Sequence, residues 1–174
     1  YERIRQLSAM MMADISNKPV KQVEGLFCNE VGYQTPKIDT RAAIFKEDKI
    51  LLVQEKNGTW SLPGGWCDVN VSVMENTIKE VKEEAGLDVV VKNVIAIQDR
   101  EKHNQPIYAY KVCKIFMLCE VEGGVFKENS ETIGFDYFTK DNLPILATEK
   151  NNEEQIQMCF DAYKAGEKWK TYFD

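Results

Sequence analysis

The chain has 174 residues, 44% of them hydrophobic and 29% charged, with 28 acids against 22 bases and a formal net charge of −6. That length suits one domain with an appendage, and the apolar fraction excludes wholesale disorder. The acidic balance argues against DNA or anionic lipid as partner, because both bindings rest on Lys and Arg neutralising phosphates.

Five cysteines, an odd number without a Cys-x-x-Cys pair, speak for reduced thiols and a cytoplasmic location rather than a disulfide framework or zinc knuckle. The apolar runs are far shorter than a membrane span. The first residue is Tyr1 rather than Met, so further residues upstream are expected.

Residues 1–16 read as a helix, with Ile4, Leu7, Met11 and Ile15 at the three- and four-residue steps of one apolar stripe. Met10 and Met12 widen that stripe, which points to core or homodimer contact. The stretch to Pro36 carries no clear pattern, and Gly32-Tyr33-Gln34-Thr35-Pro36 reads as a turn-rich connection. Residues 40–45 and 50–54 are β-prone runs joined by Lys46-Glu47-Asp48-Lys49, a hairpin signal. A short strand is expected at residues 60–62.

A helix follows over residues 73–85, announced by Ser72 with Glu75 as a capping box and stopped by Gly86. Strand-like runs cover residues 89–97 and 108–120, Gly123-Gly124 breaks the chain, and residues 135–139 form the last expected strand. A final helix is expected over residues 149–165, stopped by Gly166. The order gives an α/β (α+β) class: one mixed β-sheet sandwiched between helices, with residues 1–35 as a helical extension and 36–174 as the main domain.

The chemistry concentrates in residues 64–87. On the helix wheel Met74, Ile78, Val81 and Ala85 form the expected buried stripe, and Glu80, Glu83 and Glu84 crowd another side at i, i+3 and i+4. A charged helix face is ordinarily a solvated face. Here two glycines after Leu62-Pro63 allow close backbone approach and can present carbonyl oxygens beside those acids. Three repelling carboxylates with hard oxygen donors suit Mg²⁺ or Mn²⁺.

This segment resembles the Nudix box, whose pattern is Gly, five residues, Glu, seven residues, then Arg-Glu-aliphatic-any-Glu-Glu-any-Gly-aliphatic. Gly65, Glu80, Val81, Glu83, Glu84, Gly86 and Leu87 match without a gap, while Val71 stands for the first Glu and Lys79 for the Arg. In the family that Glu and Arg brace the loop against the helix. A guanidinium fork has value only where a carboxylate receives it, so the two departures are consistent as a pair, and Lys79 can still pair with Glu83.

Residues 35–43, the Leu-Pro-Gly-Gly-Trp run and the N-terminal helix are similar to a bacterial subgroup associated with CDP-choline or ADP-ribose pyrophosphatase activity. The resemblance implies metal-dependent hydrolysis of a small nucleoside diphosphate derivative, with Glu83 and Glu84 binding metal and Glu80 completing the site or orienting water. It also implies a carbonyl ligand from Gly64 and a further acid from a loop near the last strand, Glu131 or else Glu128.

Arg41 and Arg100 are candidates to meet phosphate or to form surface ion pairs, and Trp66 and Tyr110 to stack on a base or join the core. His103 is read as a solvated loop residue before a general base. Cys67 has no base nearby in sequence, so no covalent mechanism is expected. Val71 favours a second reading, a non-catalytic Nudix-fold binding or sensor module, and the intact acids oppose it.

Overall fold

The computed structural model describes residues 2–27, 35–126 and 132–174. They divide into two compact units, 1–35 and 36–174. In the first, α1 (Glu2–Ser16) and α2 (Val20–Phe27) pack through Ala9, Ala13 and Val23. Sequence reading found no pattern for α2. The stripe of Ile4, Leu7, Met11 and Ile15, expected as core or homodimer contact, is exposed in the single chain. Small alanines allow two short helices to approach closely, which longer side chains would prevent.

The second unit is a mixed sheet among whose described strands the order is β3-β2-β1-β5-β4-β7, with β6 also paired to β2. The strands are β1 (Lys37–Lys46), β2 (Lys49–Glu55), β3 (Trp60–Ser61), β4 (Leu87–Asp99), β5 (Val112–Gly124), β6 (Thr132–Phe138) and β7 (Tyr172–Phe173). The β1–β5 and β4–β7 pairs are parallel and the other pairs antiparallel. The expected hairpin closes on Glu47 and Asp48, both at positive φ (50° and 57°), as a two-residue turn between right-twisted strands requires.

Strand alternation sorts the core into two layers. Ala42, Ile44, Leu51, Val53 and Met117 meet Val81 and Ala85 of α3 (Val73–Ala85) on one face. Ala43, Ile50, Leu52, Ile95 and Phe116 meet Ile156, Cys159 and Phe160 of α5 (Glu153–Ala165) on the other. The sheet between helices is therefore as expected, and no described helix is long and apolar enough to cross a membrane.

Several boundaries differ. Residues 108–111 precede β5 rather than belong to it, and Gly123-Gly124 end it, opposite Asp88 and Leu87. Residues 100–103, expected as loop, form the short helix α4 (Arg100–His103), capped by Asp99. The last helix starts at Glu153 because Asn152 and Gln155 build a capping box; a 3₁₀ turn and β7 then follow. Most of the turn-rich connection expected at residues 32–36 lies outside the described residues.

Candidate active site

Residues 62–67 run beside β1 as an irregular extra strand: Ala42 N–H donates to Pro63 O (2.8 Å), Thr40 N–H to Gly65 O (2.9 Å) and Cys67 N–H to Ile38 O (2.9 Å). Glycine is obligatory at Gly64, whose φ is +144° and whose added Cβ would lie 1.9 Å from the Thr40 carbonyl oxygen. The Pro63 and Gly65 carbonyls are thus used by β1, whereas that of Gly64 meets no donor among the described residues. The Gly64 N–H donates to Glu84 Oε2 (2.8 Å), fastening the loop to α3.

Helix α3 begins as expected, with Ser72 and Glu75 in a reciprocal capping box and Gly86 left-handed at φ 70°. Its burial departs from the wheel: Met74 is exposed, whereas Asn76, Thr77, Glu80 and Glu84 are buried with Val81 and Ala85. The sheet covers one side of the helix and the glycine loop a second, so Glu80 (9% exposed) and Glu84 (5%) lie inside while the Glu83 side chain is mostly exposed. Burial pushes the Glu84 carboxyl up to about 7, against the opposing pull of Arg41, the Gly64 N–H and Lys150. An added Cβ at Gly65 would lie 2.8 Å from Glu80 Oε2, so this glycine leaves room for the carboxylate.

Lys79 does not rely on Glu83. Its ammonium lies 2.9 Å from Asp68 Oδ2 and 3.6 Å from both Glu80 Oε1 and Glu83 Oε2. The Asp68 hydrogen bond, with the two glutamates, holds this amine well above the usual lysine range. Partial burial and the charges of Asp68 and Glu80 push the Cys67 thiol up, away from the thiolate form.

The acids face a cavity of about 480 Å³ bordered also by Arg41, Gly64, Trp66, Arg100, Tyr108 and Lys150. Neither arginine is a surface ion-pair partner. Arg41 is buried and gripped by Asp39 through Nη2–Oδ1 (2.7 Å) and Nε–Oδ2 (3.0 Å), with Nη1 donating to Leu62 O (3.2 Å). Arg100 is buried too; it donates to the carbonyls of Pro106 (2.7 Å) and Glu149 (3.1 Å) and lies 3.6 Å over the Tyr108 ring.

Beneath them Lys114, 1% exposed, lies 3.8 Å from Asp39 and donates to Asn104 Oδ1 and the Lys150 carbonyl. Its burial, reinforced by Arg41, lowers its pKa to about 7.

Trp66 and Tyr110 are exposed by 45% and 44%, and so are not core; their rings stand 6.3 Å apart, with the Lys37 ammonium over both. His103 ends α4 and pairs with Asp174 at 2.6 Å, and it is not among the described residues that border the cavity. Glu131 and Glu128 lie outside the described residues.

The structure therefore gathers Glu80, Glu84, Gly64, Arg41, Arg100 and Trp66 and leaves Glu83 at the margin. Sequence reading missed Asp39, Asp68, Tyr108, Lys114 and Lys150. Asp39-x-Arg41 was findable, since i and i+2 share a strand face; Lys150 arrives from a distant loop and left no local signal.

The donor set is hard oxygen throughout, which fits Mg²⁺ or Mn²⁺, and the burial strain on Glu84 is of the kind a cation relieves. Among the described residues, no three Asp, Glu, His or Cys side chains stand grouped closely enough to hold an ion as they are.

Residues 35–159 match the NUDIX domain model. A Bacillus subtilis (strain 168) protein named "Putative ADP-ribose pyrophosphatase YjhB" is 42% identical over 175 residues, spanning 100% of this chain and 84% of that one. A crystal structure described as an ADP-ribose pyrophosphatase from Streptococcus suis is 56% identical with a TM-score of 0.75, covering 80% of this chain and all of the other. One described as a UDP-X diphosphatase is 30% identical with a TM-score of 0.77, covering 100% of this chain and 84% of the other. With a glycine loop fastened to an acidic helix above a cationic cavity wall, and with relatives of this similarity along its length, the chain belongs to the Nudix hydrolase family.

Proposed function

We propose that this protein hydrolyses the pyrophosphate bond of a nucleoside diphosphate linked to another moiety, of the ADP-ribose or CDP-choline kind. The products are a nucleoside monophosphate and a phosphorylated fragment: AMP and ribose 5-phosphate, or CMP and phosphocholine. The observation that carries the reading is one cavity in which Glu80 and Glu84 face the buried cations Arg41 and Arg100. Acids on one wall suit divalent cations, and preorganised guanidinium groups on another suit phosphate oxygens.

In this reading Glu80, Glu83, Glu84 and the Gly64 carbonyl hold Mg²⁺ or Mn²⁺. When bound, the ion offsets pyrophosphate charge, polarises phosphorus and lowers the pKa of bound water. Arg41 contributes a positive charge that needs no reorganisation, because Asp39 fixes its fork. Arg100 acts likewise, held by two carbonyls. The exposed Trp66 ring offers a stacking face for a base, and Glu131 is the proposed further acid. In this reading water attacks one phosphorus in line and the other phosphate departs.

A homodimer through the exposed stripe of α1 and a cytoplasmic location, in keeping with the free thiols of Cys67, Cys113, Cys119 and Cys159, complete the proposal. Light scattering coupled to size-exclusion chromatography tests the dimer. A panel of ADP-ribose, CDP-choline and a UDP-sugar, assayed with and without Mg²⁺ or Mn²⁺, tests the activity. Metal-dependent release of a nucleoside monophosphate is expected; binding of a panel member without cleavage would transfer the assignment to a binding module.

A further inference from the structure

Resting on the reading that Glu80, Glu83 and Glu84 hold a divalent cation, we infer that Asp68 is a positioning residue that keeps the Lys79 ammonium off those glutamates. Val71 occupies the place where the box has a carboxylate, and a valine accepts nothing from Lys79. The three-residue-earlier Asp68 supplies the carboxylate instead: its Oδ2 is in hydrogen-bond contact with Lys79 Nζ at 2.9 Å, whereas Glu80 and Glu83 stand off at 3.6 Å each.

Asp68 is presented from a fixed backbone. Its own N–H donates to Asn76 Oδ1 (3.3 Å), and Asn76 Nδ2 in turn donates to Thr40 Oγ1 (2.9 Å), tying the loop to α3 and β1. Asp68, Lys79 and Glu80 all border the cavity. An ammonium has three donors on a flexible four-carbon stem. Without Asp68 it settles into full contact with Glu80 and Glu83 and becomes a resident monovalent competitor for the divalent ion.

This assigns opposite signs to two neighbours of one ion pair, which a simple brace does not. If the pair only stapled the loop to the helix, removing either partner would weaken the site alike. If Asp68 diverts Lys79, then Asp68→Asn exposes the glutamates to a competing cation and Lys79→Met removes that cation. Both side chains are partly exposed (52% and 38%), so neither substitution opens the core.

The test is direct Mn²⁺ binding to the full chain, read from the electron paramagnetic resonance signal of free Mn²⁺ without substrate, for wild type, Asp68→Asn, Lys79→Met and the double variant. A unit charge about 8 Å from a divalent ion in water interacts with it by about 1 kcal/mol, which corresponds to about a fivefold change in affinity. Asp68→Asn is expected to weaken Mn²⁺ binding about fivefold, Lys79→Met to tighten it by a similar factor, and the double variant to bind like Lys79→Met. The inference is overturned if Asp68→Asn binds as wild type does, if Lys79→Met weakens binding, or if the double variant is as weak as Asp68→Asn. If wild type binds no Mn²⁺ at all, the metal reading of the site falls as well, which separates the two failures.

Discussion

Replacing Gly64 by Ala is a severe perturbation, whereas replacing its neighbour Gly65 is a mild one. At Gly64 the new Cβ would lie 1.9 Å from the Thr40 carbonyl oxygen, 2.8 Å from its carbon and 3.0 Å from Arg41 Cα, all backbone atoms of β1, at a φ of +144°. The backbone conformation alone costs about 1–3 kcal/mol for a non-glycine residue. Relieving the clash requires the loop to leave β1, which strains the Ala42–Pro63 and Thr40–Gly65 hydrogen bonds and the charge-assisted bond from Gly64 N–H to Glu84. Each neutral bond is worth about 1 kcal/mol and the bond to a carboxylate about 1.5–3 kcal/mol.

A total destabilisation of about 4 kcal/mol follows, and in a domain of this size that lowers Tm by roughly 10 °C. At Gly65 the added Cβ meets only the Glu80 carboxylate, at 2.8 Å; a side-chain end can rotate away, so the expected loss is below about 1 kcal/mol. Displacing Glu80 should nonetheless cut metal-dependent turnover. Scanning calorimetry of the metal-free proteins decides the matter. A Gly64→Ala variant that melts with wild type, or a Gly65→Ala variant that melts as early as Gly64→Ala, would refute the geometry argued for the loop.

Further outcomes are expected elsewhere in the site. Glu84→Gln keeps an oxygen that can accept from Gly64 N–H, so the melting temperature should hold while turnover falls by about two orders of magnitude or more; near-normal turnover would remove Glu84 from the metal site. Arg41→Ala takes both guanidinium bonds from the buried Asp39 carboxylate and leaves it Lys114 at 3.8 Å, and about 3–5 kcal/mol of stability should be lost in urea titrations.

Lys114 has a folded-state pKa of about 7, below its ordinary 10.5. Its contribution to stability is therefore full above the unfolded value and is lost as pH falls towards 7, because the unfolded chain takes up the proton first. Relative to Lys114→Met, wild type should lose about 3 kcal/mol between pH 9.5 and 7 in parallel denaturant titrations; curves that stay parallel would show that Lys114 is charged in the fold. Trp66→Ala should raise KM about tenfold with little change in kcat or Tm, since the ring is largely exposed.

Local chemistry made some of this molecule readable from the chain alone. The hairpin at Glu47-Asp48, the capping box at Ser72 and Glu75 and the stop at Gly86 are decided within a few residues of each other. The spacing of Gly65, Glu80, Glu83 and Glu84 is a covalent fact of the chain, and it sufficed to identify the family. The sheet between helices followed from the order of periodicities.

What only the tertiary structure decided is which faces are covered and which distant groups meet. Helical periodicity assigned Met74 to the inside and all three glutamates to an outer face, yet the glycine loop arriving from β3 buries Glu80 and Glu84 and leaves Met74 exposed. Val71 and Lys79 read as a loosened brace until Asp68 was found 2.9 Å from the ammonium. The Glu149 carbonyl that receives Arg100 and the Lys150 carbonyl that receives Lys114 lie 49 and 36 positions away in sequence, and no local pattern encodes such a meeting. Periodicity tells a residue which neighbours share its face; burial is set by whatever else in the chain comes to lie on that face, and that is decided only when the whole sheet and both its helical layers have closed.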